Sequence, residues 1–501
     1  MEKYAIHPNP LVRFLKKEPK DFTKADIVKF VVENQIEMVN FRYAAADGRL
    51  KSLNFIINDL DYLDTILTYG ERVDGSSLFP NFVQAGASDL YVVPRYRTAF
   101  VNPFSEIPTL DILCGFYDKD GKPFESAPDQ ALHRAHNEFK RVTGMEFHAM
   151  GELEYYVVSE VDELYITPDQ RGYHESGPFC KWGDMRREAM KAIAEAGGKI
   201  KYGHSEVGNF AVDGLMYEQN EIEFLPVDVE EAADQLLIAK WILREISYRY
   251  GVMLTFAPKI TVGKAGSGMH IHTKVVKDGQ NMYLKDGKLT DVAKTVIAGI
   301  LDSAAALTAF GNTNPTSYLR LVPHQEAPTN ICWGDRNRSV LVRVPLGWTT
   351  GAADMIRNAN PAEQSEVKPA NDKQTVEFRC PDGSADVYLL LAGLVAAATH
   401  GFKMENAVAY AEERYVGVNI FHDEHKAIAE RLEHLPDSCA VSADALVAKR
   451  AVFEDGGVFS AGLIDGWAKM LRSHNDANLR EELQANPEMI KELVQKFINV
   501  G

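Results

Sequence analysis

Residues 146–158 read EFHAMGELEYYVV, and this stretch decides the fold. A β-strand sends residues i and i+2 to the same side. Glu152 and Glu154 therefore point together, while Leu153, Tyr155 and Val157 point the other way. The pattern recurs. His204 and Glu206 share a face in GHSEV, Glu221 and Glu223 in QNEIEF, His270 and His272 in GMHIHT, and Glu377 and Arg379 in TVEFRC. For one strand a solvent-facing side explains such charge. Five strands of this kind, each with its own apolar face, point instead to a polar cavity lined by Glu and His. Crowded carboxylates repel one another and take up protons, and divalent cations relieve that. Oxygen donors with an occasional imidazole suit Mg²⁺ or Mn²⁺.

A second concentration is cationic. RLVPHQEAP, DRNRSVLVRVP and VEFRCPDG carry Arg320, Arg336, Arg338, Arg343 and Arg379. Arginine grips carboxylates and phosphates through a planar, bidentate fork. Arginines beside a carboxylate cluster suggest metals acting on an anionic substrate, as in phosphoryl transfer. GKAGSG at 263–268 is neither a Walker nor a Rossmann motif, and it precedes a strand rather than a helix.

Outward from this region the chain reads as α+β with mostly antiparallel strands. The first ~120 residues are expected to be strand-rich, with a hairpin at Asp47-Gly48. A helix follows, with Ser126 as N-cap, Pro128 in the first turn and Gly144 as stop. The domain boundary is placed there, giving domains 1–124 and 125–501. GDMRREAMKAIAEAGG is predicted helical with Asp184 as cap. So is DVEEAADQLLIAKWILREISYRYG, with Asp228 and Glu231 as a capping box and Leu236, Ala239, Leu243, Ile246 and Tyr250 along one face. A hairpin is expected at Asp278-Gly279, and a long polar loop at about 347–373. His422, His425, His434 and His474 read as surface groups in a mainly helical C-terminal part.

The 501 residues carry 54 Lys+Arg and 71 Asp+Glu, a formal charge of −17, which argues against gripping nucleic acid or an anionic membrane. Five cysteines, odd in number and without CxxC, indicate neither a disulfide framework nor a thiolate zinc site. The start has no signal-peptide pattern, and the longest apolar run, about Tyr388 to Thr399, is too short to span a bilayer. A cytoplasmic protein is expected.

VDGSS, GELEYY, HSEV…QNEIEF, GSGMHIH, NPTSYLRLVPHQEAP, NRSVLVRVP and VEFRCPDGSADVYL stand in the order found in type I glutamine synthetases, which the chain resembles from about residue 30 to 410. The resemblance implies an N-terminal β-grasp domain and a catalytic domain shaped as a bifunnel. It also implies a dodecamer of two hexameric rings, with sites at subunit interfaces. It implies ATP as co-substrate and two or more Mg²⁺ or Mn²⁺ ions. Glu154, Glu206 and Glu221 match the ligands of one metal, and Glu152, His270 and Glu377 those of the second. Arg320, Glu326, Arg379 and Gly266 match glutamate contacts, and Arg338, Arg343 and His272 nucleotide contacts. Asp74 and Ser77 match the ammonium end, offered to the neighbouring subunit, with Tyr173 aligned to the same site. Asp74, Glu326 and Arg338 are the residues expected to act in catalysis.

The implied reaction joins ammonia to the γ-carboxylate of L-glutamate through γ-glutamyl phosphate. The alternative keeps the first step and uses another amine, as a γ-glutamyl-polyamine or γ-glutamyl-amide ligase. A sensor on the same fold should have lost metal ligands, and all six positions are filled. From the residues alone, a two-metal hydrolase is the competing reading. The sequence departs from the family pattern in a longer Glu206–Glu221 interval, a longer Arg343–Glu377 loop, Ala265 in place of an asparagine, and Thr375 in place of a nucleotide-site arginine, with Lys373 as a substitute. Phe421 replaces the tyrosine that carries adenylylation in enterobacterial relatives, so that regulation is expected to be absent.

Overall fold

Gly48, at φ 73°, lets the chain reverse between Met38–Ala44 and Leu50–Ile56, which pair antiparallel in the expected hairpin. The computed structural model describes residues 3–83, 88–323, 327–347, 352–366, 373–486 and 488–501. The hairpin opens a mixed sheet in the order Leu50–Ile56, Met38–Ala44, Thr109–Tyr117, Asp89–Pro94, Glu71–Asp74. Its two middle strands, Met38–Ala44 and Thr109–Tyr117, run parallel. Val39 and Phe41 face a core with Ile27 and Phe30 of the Lys24–Glu33 helix and Leu63 and Leu67 of the Leu60–Tyr69 helix. These helices interrupt the strand-rich reading of the N-terminal part. Asn40 and Arg42 face the other side and bind buried Asp111, each at 2.7 Å. There the Arg42 guanidinium lies 4.4 Å from the Trp241 ring centre, joining the N-terminal sheet to the rest of the chain.

The larger sheet runs Trp333–Asp335, Val342–Val344, Val376–Phe378, Met269–Lys277, Glu146–Glu160, Leu215–Phe224, Ile200–Val212. All these neighbours are antiparallel except the parallel first pair. Leu153, Tyr155 and Val157 are fully buried against helices. A Cβ on Gly151 would sit 2.9 Å from Leu236, so glycine there lets the Val229–Arg249 helix lie directly on the sheet. Behind it runs Val387–Lys403, buried along nearly its whole length. Among the described residues no single helix is long and apolar enough to cross a membrane.

Several local expectations are corrected. Ala127, not Ser126, caps the Pro128–Thr143 helix, and the Ser126 hydroxyl instead meets that of Ser460 at 3.2 Å. Trp182 caps the Gly183–Glu195 helix, and Asp184 lies in its first turn, paired with Arg187. Asp228 is the N-cap of Val229–Arg249 but accepts from the Glu230 amide at 3.0 Å, so the Glu231 capping box is not formed. Tyr250 lies past the helix end and is exposed. His474 is half-buried, its Nε2 3.1 Å from Thr313 O. The long Glu206–Glu221 interval is not a loop. It extends both strands to a tight turn at Asp213-Gly214, where both residues have positive φ. Part of the 347–373 segment forms a helix, Ala352–Ala359.

Candidate active site

Register brings the charged strand faces into rows. His270 stands opposite Glu152, and Glu152 opposite Glu223. Glu154 stands opposite Glu221, and Glu221 opposite His204. His272 stands opposite Glu377, and Glu377 opposite Arg343. Directly opposed residues hold their Cβ atoms about 5 Å apart. Acids and imidazoles separated by up to 225 residues in sequence therefore share one wall of a cavity of about 850 Å³.

Two donor groups form on this wall, each with ligand atoms within 4.8 Å of one another. The first brings together Glu152, His270 and Glu377, which the resemblance groups as one ligand set. His270 Nδ1 lies 2.9 Å from Glu152 Oε2 and 3.5 Å from Glu377 Oε1. The second is His204, Glu206 and Glu221, with His204 nitrogens 3.8 Å and 3.7 Å from the two carboxylates. Glu206 and Glu221 thus gather with His204, and Glu154 stands directly opposite Glu221 on the neighbouring strand. Glu154 Oε2 is held by the Gly268 amide at 2.8 Å and by Gln219 Nε2 at 3.0 Å. His204 was not among the expected ligands; its i, i+2 spacing to Glu206 is the signal that puts it in this candidate group. His272, expected at the nucleotide, bridges Glu152 (2.9 Å) and the Thr375 hydroxyl (2.8 Å).

Electrostatics show what this wall needs. Burial, and then the charges of Glu152, Glu154, Glu206 and Glu223, push the Glu221 carboxyl well above its ordinary range. Burial also works upward on Glu152, but His272 and His270 hold it well below. Burial lowers His270. An excess of buried acids with imidazoles turned among them fits hard or borderline divalent cations.

The arginines close the wall. Arg320 is 3% exposed, donates to Cys380 O at 2.8 Å and reaches 3.4 Å from His270 Nε2. Arg379 Nε donates to Glu377 Oε1 at 3.1 Å, and its Nη1 to Arg338 O. Arg343 Nη1 donates to Glu377 Oε2 at 2.7 Å, and Arg338 lines the same cavity. Gly266 also lines it and accepts from Gln219 Nε2 at 3.0 Å. Thr375 and Lys373 also line it. Tyr173 is 53% exposed at the mouth, stacked on His174 at 4.1 Å and edge-on to His204 at 5.5 Å. Every described lining residue falls between Met150 and Arg379, and among the described residues Asp74 and Ser77 do not line this cavity within one chain. Asp74 ends the Glu71–Asp74 strand and caps Gly75–Leu78, taking both the Ser76 and Ser77 hydroxyls. Glu326 lies outside the described residues.

Two family profiles match the chain. "Glutamine synthetase, beta-Grasp domain" covers residues 35–119, and "Glutamine synthetase, catalytic domain" covers residues 125–487. The chain is 31% identical over 427 residues to the glutamine synthetase of Clostridium saccharobutylicum, covering 83% of this chain and 87% of that one. It is 32% identical over 426 residues to that of Pyrococcus furiosus, covering 84% and 87%. The fold is shared with a solved Plasmodium falciparum glutamine synthetase (TM-score 0.74, 20% identity, covering 92% of this chain and 97% of that one). It is equally shared with a GmaS–ADP complex (TM-score 0.73, 20% identity, covering 92% and 99%).

Proposed function

The chain belongs to the glutamine synthetase family, and on that premise we propose that it ligates ammonia to the γ-carboxylate of L-glutamate, driven by ATP. The observation that carries the reading is the pair of donor groups sharing one cavity wall with Arg320, Arg338, Arg343 and Arg379. In this reading His204, Glu206 and Glu221, with Glu154 adjoining, hold one Mg²⁺ or Mn²⁺, and Glu152, His270 and Glu377 hold the second. When bound, the cations neutralise charge on the transferring phosphoryl group that ATP supplies.

A carboxylate does not condense with an amine at neutral pH, because its leaving group is poor. Phosphorylation to γ-glutamyl phosphate supplies a good one. Arg338 and Arg343 bind and screen the nucleotide's phosphates, while His272 keeps Glu152 oriented from the side of the nucleotide. Arg320, Arg379 and the Gly266 backbone position glutamate, and the Glu326 segment excludes water from the acyl phosphate. Asp74 and Ser77 of a neighbouring copy bring ammonium to Tyr173 and Glu206, and Asp74 takes a proton from it, leaving ammonia to attack. This requires an assembly that joins the two surfaces, and a dodecamer of two hexameric rings is part of the proposal. Five buried, unpaired cysteines support a cytoplasmic setting.

One observation favours a second amine. Tyr173, His174, Tyr202 and His204 set aromatic rings beside Glu206 at the cavity mouth, a surface that could seat an alkylammonium. Phosphate release with glutamate and ATP, compared between ammonium, methylamine, ethanolamine and putrescine, decides it. Ammonium should give the highest kcat/KM. A larger amine preferred over it would replace the reading with a γ-glutamyl-amide ligase, and turnover without ATP would replace both.

A further inference from the structure

A second cavity, of about 370 Å³, adjoins the catalytic one, and Tyr202 and His204 line both. Gly183, the first residue of the Gly183–Glu195 helix, lines it too. Two guanidinium groups converge over this glycine. A Cβ on Gly183 would lie 3.3 Å from Arg187 Nη1 and 3.8 Å from Arg186 Nη2. Trp182, the residue before the helix, makes no side-chain cap, so the first-turn amides have no acceptor from that residue.

Arg186 is 7% exposed. Its hydrogen bonds run from Nη1, to the Asn220 side-chain oxygen and to Cys180 Sγ at 3.8 Å. Its Nε is buried, and has no partner among the described residues. Glu218, a buried acid beside Cys180, turns its two oxygens to the Lys181 and Trp182 amides, at 2.7 Å and 3.1 Å. It therefore makes no ion pair with Arg186, and a buried charge without one is costly. Arg187 is exposed and pairs through Nη2 with Asp184, which leaves Nη1 toward the glycine. Among the described lining residues Glu175 is the one carboxylate, against two arginines. Adjacent guanidiniums repel, and an oxyanion set between them removes both the repulsion and the unpaired charge.

We propose that this cavity binds a small carboxylate anion, its oxygens over Gly183 between Arg186 and Arg187, and that its occupation tunes the catalytic cavity through His204. The planar fork of arginine suits a carboxylate, and the glycine leaves room for its oxygens at the start of a helix, where anions are favoured. The volume is at the small end of ligand pockets, enough for an organic acid of a few carbons and more than inorganic phosphate fills. The His174 and Tyr202 rings, 4.3 Å and 5.8 Å from that of His204 by their centres, line the cavity with it, so an occupant meets the strip of rings that includes a proposed metal donor. Negative charge beside His204 strengthens a dication held by His204, Glu206 and Glu221. That coupling rests on the proposed metal reading, whereas the binding itself does not.

The test is calorimetric titration of the full chain with succinate, which should show an equivalent per chain that Arg320→Gln, on the glutamate side of the catalytic cavity, leaves intact. Inorganic phosphate should bind at least about tenfold more weakly. Arg187→Gln, an exposed position outside the catalytic cavity, should weaken succinate at least about tenfold, as should Gly183→Ala, which fills the space over the helix start. Arg186→Gln should abolish binding. With succinate saturating, Mn²⁺ should bind at least about threefold more tightly, and Mn²⁺ should tighten succinate by the same factor. Absence of the succinate equivalent overturns the proposal, and so does its persistence at full affinity in both Arg187→Gln and Gly183→Ala. Its loss in Arg320→Gln, tighter binding of phosphate, or a Mn²⁺ affinity indifferent to succinate overturns it equally. Mn²⁺ that fails to bind even without succinate removes the metal reading instead, and the succinate equivalent then stands or falls on the arginine variants.

Discussion

Arg343 Nη1 lies 2.7 Å from Glu377 Oε2, while Glu377 Oε1 is 3.5 Å from His270, so one carboxylate is shared between a guanidinium and a metal-type donor group. The arginine supplies the positive charge that a dication would bring to the same carboxylate. The two compete unless the arginine moves to a phosphate. Arg343→Gln should therefore tighten Mn²⁺ binding by about tenfold, on the order of 1.4 kcal/mol, and slow ATP-dependent turnover by about a hundredfold. Mn²⁺ titration by paramagnetic resonance beside steady-state kinetics reads both. Weaker Mn²⁺ binding in the variant would show that Arg343 supports the donor group rather than competing for it.

Asp74 is fully exposed, and the Ser76 and Ser77 hydroxyls lower its pKa to about 2. It stays anionic from about pH 8 down to about pH 5, so its protonation cannot raise the KM for ammonium in that range. Asp74→Asn keeps a good helix cap and removes only the charge. It should raise the KM for ammonium about tenfold or more and leave ATP binding and melting temperature near those of the parent. Unchanged ammonium dependence would remove Asp74 from the site.

Gly268 and Gly266 both lie against Arg320 but differ in what else a side chain there would meet. A Cβ on Gly268 would lie 2.6 Å from Arg320 Nη2 and 3.1 Å from His270 Nε2. Arg320 is buried and tied to Cys380 O, so Gly268→Ala displaces a guanidinium proposed to hold glutamate. The KM for glutamate should rise about tenfold with a melting temperature within a few degrees of the parent. A Cβ on Gly266 would lie 2.6 Å from the backbone oxygen of Pro258, which cannot swing aside, and 2.9 Å from Arg320 Cγ. Gly266→Ala should therefore raise the KM for glutamate as well and in addition lose about 1–3 kcal/mol of stability by urea unfolding. Equal stability of the two variants would refute this difference.

Lys240 is fully buried against Gly383 O (2.8 Å) and Ala385 O (3.2 Å), and burial, followed by the charge of Arg244, lowers its pKa from 10.5 to about 7. Below about 7 both folded and unfolded chains carry the proton, and the cost of burying the charge is complete. Between 7 and 10.5 the unfolded chain binds more protons, so stability rises with pH through that window. The slope is roughly 1.4 kcal/mol per pH unit at most. Lys240→Met removes it, and the stability of the parent relative to the variant should climb as pH is raised from 7. A difference that stays flat would mean the lysine remains charged.

Much of the site was legible because a strand's side chains have a fixed period of two. Glu152, Glu154, Glu221, His270 and Glu377 could be placed on one face from spacing alone, with their apolar neighbours on the other. The Asp47-Gly48 and Asp278-Gly279 hairpins were equally legible, since positive φ at these turns selects the residues that form them. Cap positions slipped by one or two residues where Ser126 and Asp184 had plausible chemistry but the chain entered the helix elsewhere.

The sequence by itself determined which side chains share a strand face and that acids, imidazoles and arginines meet. Tertiary structure alone decided which of them stand together. Pairing between Ile200–Val212 and Leu215–Phe224 is regular at His204 and Ser205 and then shifts before Asn209, and Glu206 lies inside that irregularity. Two extra residues on the Ile200–Val212 strand re-aim the side chains around them, which brings Glu206 to His204 and Glu221. Gly268 and Gln219 meanwhile donate to Glu154 Oε2, opposite Glu221. Register between distant strands is set by the packing of both faces, and no spacing within a single strand encodes it.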